Sequence, residues 1–210
     1  MSNTLTAGGL QAALESVNFD VHHQRLFDGA MADCGGSIVW RSRKAAELHD
    51  LIGASQISPR LRVEYVDVRE ALRAVVLMKV PVALRPGEDG QLRTAPYTRL
   101  GLTYPEVLMT QPVPGYTCTQ ILEPRNAWYG NVSSEPPQLL CLASELPAGI
   151  LLREIILLAY AALSGQSLLL DEQDPAGILS LEAIRWWQEN HLLLPLTRAG
   201  FLEADEPESN

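Results

Sequence analysis

The run from Ile150 to Leu163 constrains this chain most. Leu151, Leu152, Ile155, Ile156, Leu158, Ala159, Ala162 and Leu163 are apolar nearly all round a helix, so the helix must be wrapped by other elements. Arg153 and Glu154 interrupt the run, and it falls short of the ~20 residues of a membrane span. The pattern predicts a buried central helix, with Leu146-Pro147 offering its start and Ser164-Gly165 its end. With 210 residues, 47% hydrophobic and 20% charged, the chain has material for one core with appendages.

Periodicity supplies the wrapping. Arg41 to Ile52 has Ala45, Leu48, Leu51 and Ile52 at helical spacing and predicts a first helix with a basic start. From Leu61 to Leu84 the density of Val63, Tyr65, Val66, Val68, Val75, Val76, Val80 and Val82 predicts strands, with Pro81 at an edge or a strand end. Pro86-Gly87-Glu88-Asp89-Gly90 is turn chemistry and makes the flanking runs a candidate hairpin. Seven prolines between 96 and 137 predict a long irregular segment wrapped over the sheet rather than built into its centre. Leu179 to Asn190, carrying Trp186 and Trp187 as core and rim residues, predicts a last helix after an acidic loop at 171–177.

This order, helix, strand meander, irregular segment and helices, describes an α+β fold. Residues 1–36, with a short amphipathic candidate helix around Leu10, Leu14 and Val17, read as an N-terminal extension. Residues 37–198 read as the main domain and 199–210 as an acidic tail.

The net charge of −9 has the wrong sign for a surface that neutralises phosphates, so neither nucleic acid nor anionic membrane is an expected partner. Residues 1–100 carry +1 and residues 101–210 carry −10, which makes two differently charged faces an expectation. Three widely spaced cysteines, Cys34, Cys118 and Cys141, fit neither a disulfide framework nor a Cys-x-x-Cys metal site. With no secretory leader visible in the first residues, the expected compartment is the cytoplasm. His22 and His23, being adjacent, make a poor metal pair. No nucleotide-binding glycine motif is present, and no metal or cofactor is expected.

One constellation carries chemistry. Trp128-Tyr129-Gly130-Asn131-Val132 followed by Leu139-Leu140-Cys141-Leu142 resembles the active-site segment of ubiquitin-conjugating enzymes, where a Tyr-His-Pro-Asn-Ile-like run precedes an Ile-Cys-Leu-like run. The later sequence is similar too, with a Leu/Ile-rich helix, then Gln173-Asp174-Pro175, then a helix. The resemblance covers roughly residues 41–190 by element order and is sharp over 128–190. Gly130 replaces the family's His-Pro, the step from Asn131 to Cys141 is longer, and Pro147 lies closer to the cysteine. These departures point to divergent bacterial members, which occur in ubiquitination-like operons that act in phage defence.

The resemblance implies a fold of the ubiquitin-conjugating type and a transferase using Cys141. The thiol would accept the C-terminal carbonyl of a ubiquitin-like protein from an activating enzyme and pass it to an amine of a target protein. A thioester suits this because it stays activated towards amines while hydrolysing slowly, and a thiol both attacks and leaves well. By the same resemblance Asn131 would stabilise charge on the reacting carbonyl oxygen. Asp174 would orient the incoming amine, and Arg41, Arg43 and Lys44 would dock the activating enzyme. Read singly, Cys141 is a small core hydrophobe, Asn131 a turn residue and Asp174 a loop or capping residue. A catalytically silent module of the same fold that binds a ubiquitin-like protein is the alternative. Sequence leaves His49 and His191 open as bases for a cysteine hydrolase, with no signature supporting either.

Overall fold

A computed structural model describes residues 7–166 and 177–203 of the chain. Three helices come first: α1 (Ala7–Glu15), α2 (Val21–Ala32) and α3 (Ile38–Ile57). Nine short to medium strands follow among the described residues: β1 (Leu61–Asp67), β2 (Leu72–Met78), β3 (Val82–Leu84), β4 (Arg93–Ala95), β5 (Thr98–Tyr104), β6 (Val113–Pro114), β7 (Thr119–Glu123), β8 (Gln138–Leu139) and β9 (Glu145–Leu146). Helices α4 (Leu152–Leu163) and α5 (Leu181–Asn190) come after the strands. The fold is α+β, and no helix among the described residues is long and apolar enough to cross a membrane.

The main sheet is antiparallel, in the order β1-β2-β5-β7-β8. Its inner face is built by alternation: Thr98, Leu100, Leu102 and Tyr104 of β5 are buried while the residues between them are half-exposed. Strands β3 and β4 pair separately across the 86–90 turn, where Gly90 holds a φ of +67°, as the turn chemistry predicts.

The expectation that the proline-rich stretch stays out of the sheet's centre is overturned, because β5 and β7 lie inside it and are interior strands. Pro96 and Pro105 flank β5 and Pro124 follows β7, so each strand is free of proline along its own length. A proline removes only its own donor; the pairing residues between prolines keep theirs.

Helix α3, expected from Arg41 to Ile52, is longer than its apolar pattern suggests: Ser37 caps it by accepting from the Trp40 N–H at 3.2 Å. Gly53 in its interior has a packing role: a Cβ there would meet Leu14 Cδ2 at 2.8 Å, so α1 lies closely against α3. Leu10 and Leu14 are buried in the same core as the sheet, and so is Phe201. Residues on both sides of positions 36 and 198 therefore contribute to one core. Segment 199–203 is tied back by Ser58 Oγ donating to the Phe201 carbonyl and Arg60 Nε donating to that of Glu203.

Helix α4 is buried over most of its circumference, as expected, with Leu158 the partly exposed exception. It begins at Leu152 rather than at Pro147. Its free N-terminal N–H groups go to two carboxylates: Glu154 accepts from Leu151 N at 2.8 Å and Glu47 of α3 accepts from Leu152 N at 2.6 Å. Gly165 follows its end with a φ of +74°. Most of the expected acidic loop, 171–176, and residues 204–210 of the tail lie outside the described residues.

Candidate functional site

Residues 124–144 have little regular structure, and side chains replace the missing ladders. Gln138, fully buried, accepts from the Ala127 N–H at 2.9 Å and donates to the carbonyls of Ala127 and Ser133, both at 3.0 Å. Ser133 Oγ accepts from Leu139 N and donates to the Pro137 carbonyl. Thr119 Oγ1, at the start of β7, donates to the Leu140 carbonyl at 2.6 Å. Buried backbone groups must be paired, and here they are paired from the side.

Within this frame the structure brings Asn131 and Cys141 together. Cys141 N donates to the Asn131 carbonyl at 2.8 Å, and Asn131 Nδ2 donates to the Cys141 carbonyl at 3.0 Å. Val132 and Leu140 form an antiparallel bridge alongside. The residues before Asn131 anchor the helices. Tyr129 is buried, its hydroxyl accepting from Ala83 N at 2.9 Å and lying 3.4 Å from the Leu163 carbonyl, and burial pushes its pKa up to about 12. The Gly130 carbonyl accepts from both Leu179 N and Ser180 N, at 2.9 and 3.0 Å. Ser180 is the cap of α5, so that helix starts directly on the segment. Trp187 is buried and donates to the Trp128 carbonyl at 2.7 Å; Trp186 is half-buried against it. The core and rim assignment of the two tryptophans holds.

The Cys141 thiol is enclosed. The residue is 4% exposed, and its Sγ donates to the Ala143 carbonyl at 3.1 Å. Burial pushes the thiol's pKa up, and hydrogen bonding with the Ala143 backbone offsets part of the shift. Among the described residues no histidine bonds this thiol. His49 packs on Phe19 at 4.7 Å and His191 is exposed at the end of α5, so neither is placed as a base. Cys34 and Cys118 are buried as well.

Asp174 lies outside the described residues. The three basic residues at the start of α3 divide. Arg41 is exposed, Arg43 is half-buried and engaged with groups of its own chain, and Lys44 is fully buried, which corrects the expected place of Lys44 on a docking surface. Lys44 Nζ, fully buried, donates to the carbonyls of Gly35 at 2.7 Å, Glu70 at 3.1 Å and Val68. Arg43 pairs with Glu47 at 2.7 Å and donates to Tyr104 Oη at 2.6 Å and the Gly149 carbonyl at 3.0 Å. A buried cation has to be matched by oxygens, and loop carbonyls supply them. The sequence reading missed the roles of Gln138 and Glu47. Glu47 had one visible signal, its i,i+4 spacing from Arg43.

Comparison of the chain with protein-family models, with curated proteins and with solved structures finds no match in any of the three. The fold and site define the class in chemical terms: an α+β protein with one thiol set in an irregular segment and coupled through its backbone to a side-chain amide.

Proposed function

We propose that the chain is a ubiquitin-conjugating-like transferase of a bacterial, cytoplasmic, phage-defence conjugation system, which carries a ubiquitin-like protein as a thioester on Cys141. The reciprocal bonding of Asn131 with the Cys141 backbone carries this reading, since it ties a side-chain amide to the one cysteine that the sequence pattern singles out. The Cys141 thiolate attacks the acyl carbon of the activating enzyme's thioester. A new C–S bond forms, the old one breaks, and the activating enzyme's thiolate leaves. An amine of the target then attacks the same carbon, loses a proton and displaces the Cys141 thiolate.

Asn131 has two amide N–H donors, and one of them bonds the Cys141 carbonyl. The other serves the carbonyl oxygen as charge develops on it. Asp174 keeps its proposed role of orienting the amine. For docking of the activating enzyme the proposal narrows to Arg41, beside the exposed Ile38 and Val39 at the start of α3.

The test is non-reducing gel electrophoresis after incubation with ATP, a cognate activating enzyme and its ubiquitin-like protein. A thiol-sensitive adduct is expected with the unaltered chain and none with Cys141→Ala. An adduct that persists in Cys141→Ala sinks the assignment. The burial of the thiol favours a second reading, the catalytically silent binding module. No adduct from partners shown to be active on each other, with retained binding of the ubiquitin-like protein, is its expected outcome.

A further inference from the structure

The turn that follows Cys141 is pressed onto Gly115. Leu142 N donates to the Gly115 carbonyl at 3.2 Å, and Gly115 N donates to the Ser144 carbonyl at 3.3 Å. Between these two bonds the backbones touch: a Cβ built on Gly115 would stand 1.8 Å from the Ala143 carbonyl oxygen and 2.7 Å from its carbon and nitrogen. Only a residue without a side chain lets the turn close to this depth. The Ala143 carbonyl that occupies the space is also the acceptor of the Cys141 thiol. The flanking ladder of β6 with β9, Val113 opposite Leu146 and Pro114 opposite Glu145, fixes both sides of the contact.

We infer that Gly115 is a positioning residue, latching the 142–144 turn over Cys141 so that the resting thiol is sheltered and hydrogen-bonded to the Ala143 carbonyl. The consequence for transfer rests on the reading of Cys141 as the acyl acceptor. The partner delivering the acyl group must lift this turn, breaking two backbone hydrogen bonds, before the sulfur can reach a carbonyl carbon. Regulation is then built into the site, because an undocked chain keeps its thiol from stray electrophiles.

The latch is tested on the full chain with no acyl donor, so its failure is separable from failure of the conjugation assay. N-ethylmaleimide labelling is followed by mass spectrometry of each cysteine peptide across a range of pH, for the unaltered chain and for Gly115→Ala. The substitution puts a methyl group where the Ala143 backbone lies and forces the turn open. Cys141 is expected to label on the order of tenfold faster, with its pH inflection moved down, because relief of burial favours the thiolate. Buried Cys34 and Cys118 should stay slow. An unchanged Cys141 rate in folded Gly115→Ala overturns the latch.

If all three cysteines label together, the variant has unfolded, and the unaltered chain decides. Its infrared S–H band is assigned by difference from Cys141→Ala. A band at the lowered frequency of a thiol donating to a carbonyl supports the latch; one at the free-thiol frequency overturns it.

Discussion

Two of the buried polar regions of this molecule solve the same problem with different materials. Around α3, charged side chains do the work: Lys44 on carbonyls of the loop before α3 and of the β1–β2 turn, and, in the seam with α4, Arg43 on Glu47 and on the turn before α4 and Arg153 on Asp50 at 2.5 Å. Around Cys141 the agents are neutral, with Asn131, Gln138, Thr119 and Ser133 all bonded to backbone. Charge in a core holds strongly but tolerates no loss of a partner, because the remaining group stays desolvated. Amides and hydroxyls hold less strongly and allow rearrangement at lower cost. The rigid seam thus serves as the frame, and the neutral segment is the part in which chemistry is proposed.

The largest expected effect sharpens that contrast. Lys44→Met removes the donor from the carbonyls of Gly35, Val68 and Glu70 and should cost about 3 kcal/mol or more, read from urea unfolding. Asn131→Ala, the equivalent cut in the neutral segment, should cost about 1–2 kcal/mol, since one neutral hydrogen bond is lost and a buried carbonyl is left unpaired. Equal losses in the two variants would remove the distinction between the regions. In the conjugation assay the order reverses: Asn131→Ala should slow transfer to the amine, while Lys44→Met, kept folded at low temperature, should leave it close to normal.

Legibility followed the range of the interactions. Helices α4 and α5 and the β3–β4 hairpin are local patterns, and their residues announced them. The interior strands β5 and β7 were obscured because proline density describes a stretch, whereas pairing depends on which individual residues keep their N–H. The fate of Lys44 depends on carbonyls contributed by Gly35, Val68 and Glu70, which no window around Lys44 contains. The pairing of Asn131 with Cys141 was foreshadowed by the order of a motif. The contact of Gly115 with Ala143 had no periodic or compositional signal, because a close backbone approach is made by an absent side chain.

A smaller effect separates the two regions by pH. Burial raises the Glu47 carboxyl above its ordinary value, despite its bond from Leu152 N and its pairing with Arg43. The folded chain therefore binds this proton more tightly than the unfolded chain. Stability from this group is greatest below the ordinary range and falls as pH rises through the raised folded value. Glu64 and Asp67 have the opposite sign, their carboxyls being lowered by Arg62 and Arg69 respectively, so their stabilisation is lost as the solution is acidified. Glu47→Gln keeps those surface groups and an acceptor for Leu152 N. The stability of the unaltered chain minus that of Glu47→Gln should decline from pH 4 to pH 7 in urea titrations, by an amount left to the measurement. A flat difference would show that the seam does not strain its carboxylate.

The smallest expected effect on stability belongs to Arg41, and it asks whether the start of α3 has a second face apart from the seam. Arg41 is exposed, flanked by Ile38 at 81% and Val39 at 67% exposure. Its reversal to Glu should change stability by no more than about 0.5 kcal/mol, because no buried group relies on it. Placing a carboxylate in the first turn also suits the helix dipole, which offsets part of any loss. Charge reversal on a contact surface acts mainly on the rate of encounter, so loading of Cys141 by the activating enzyme should slow in Arg41→Glu, and slow less at high salt. The same variant should discharge a preformed thioester to an amine at the unaltered rate, since that step no longer involves the activating enzyme. Slowing of both steps would instead implicate the segment around Cys141, and with it the separation of frame from site.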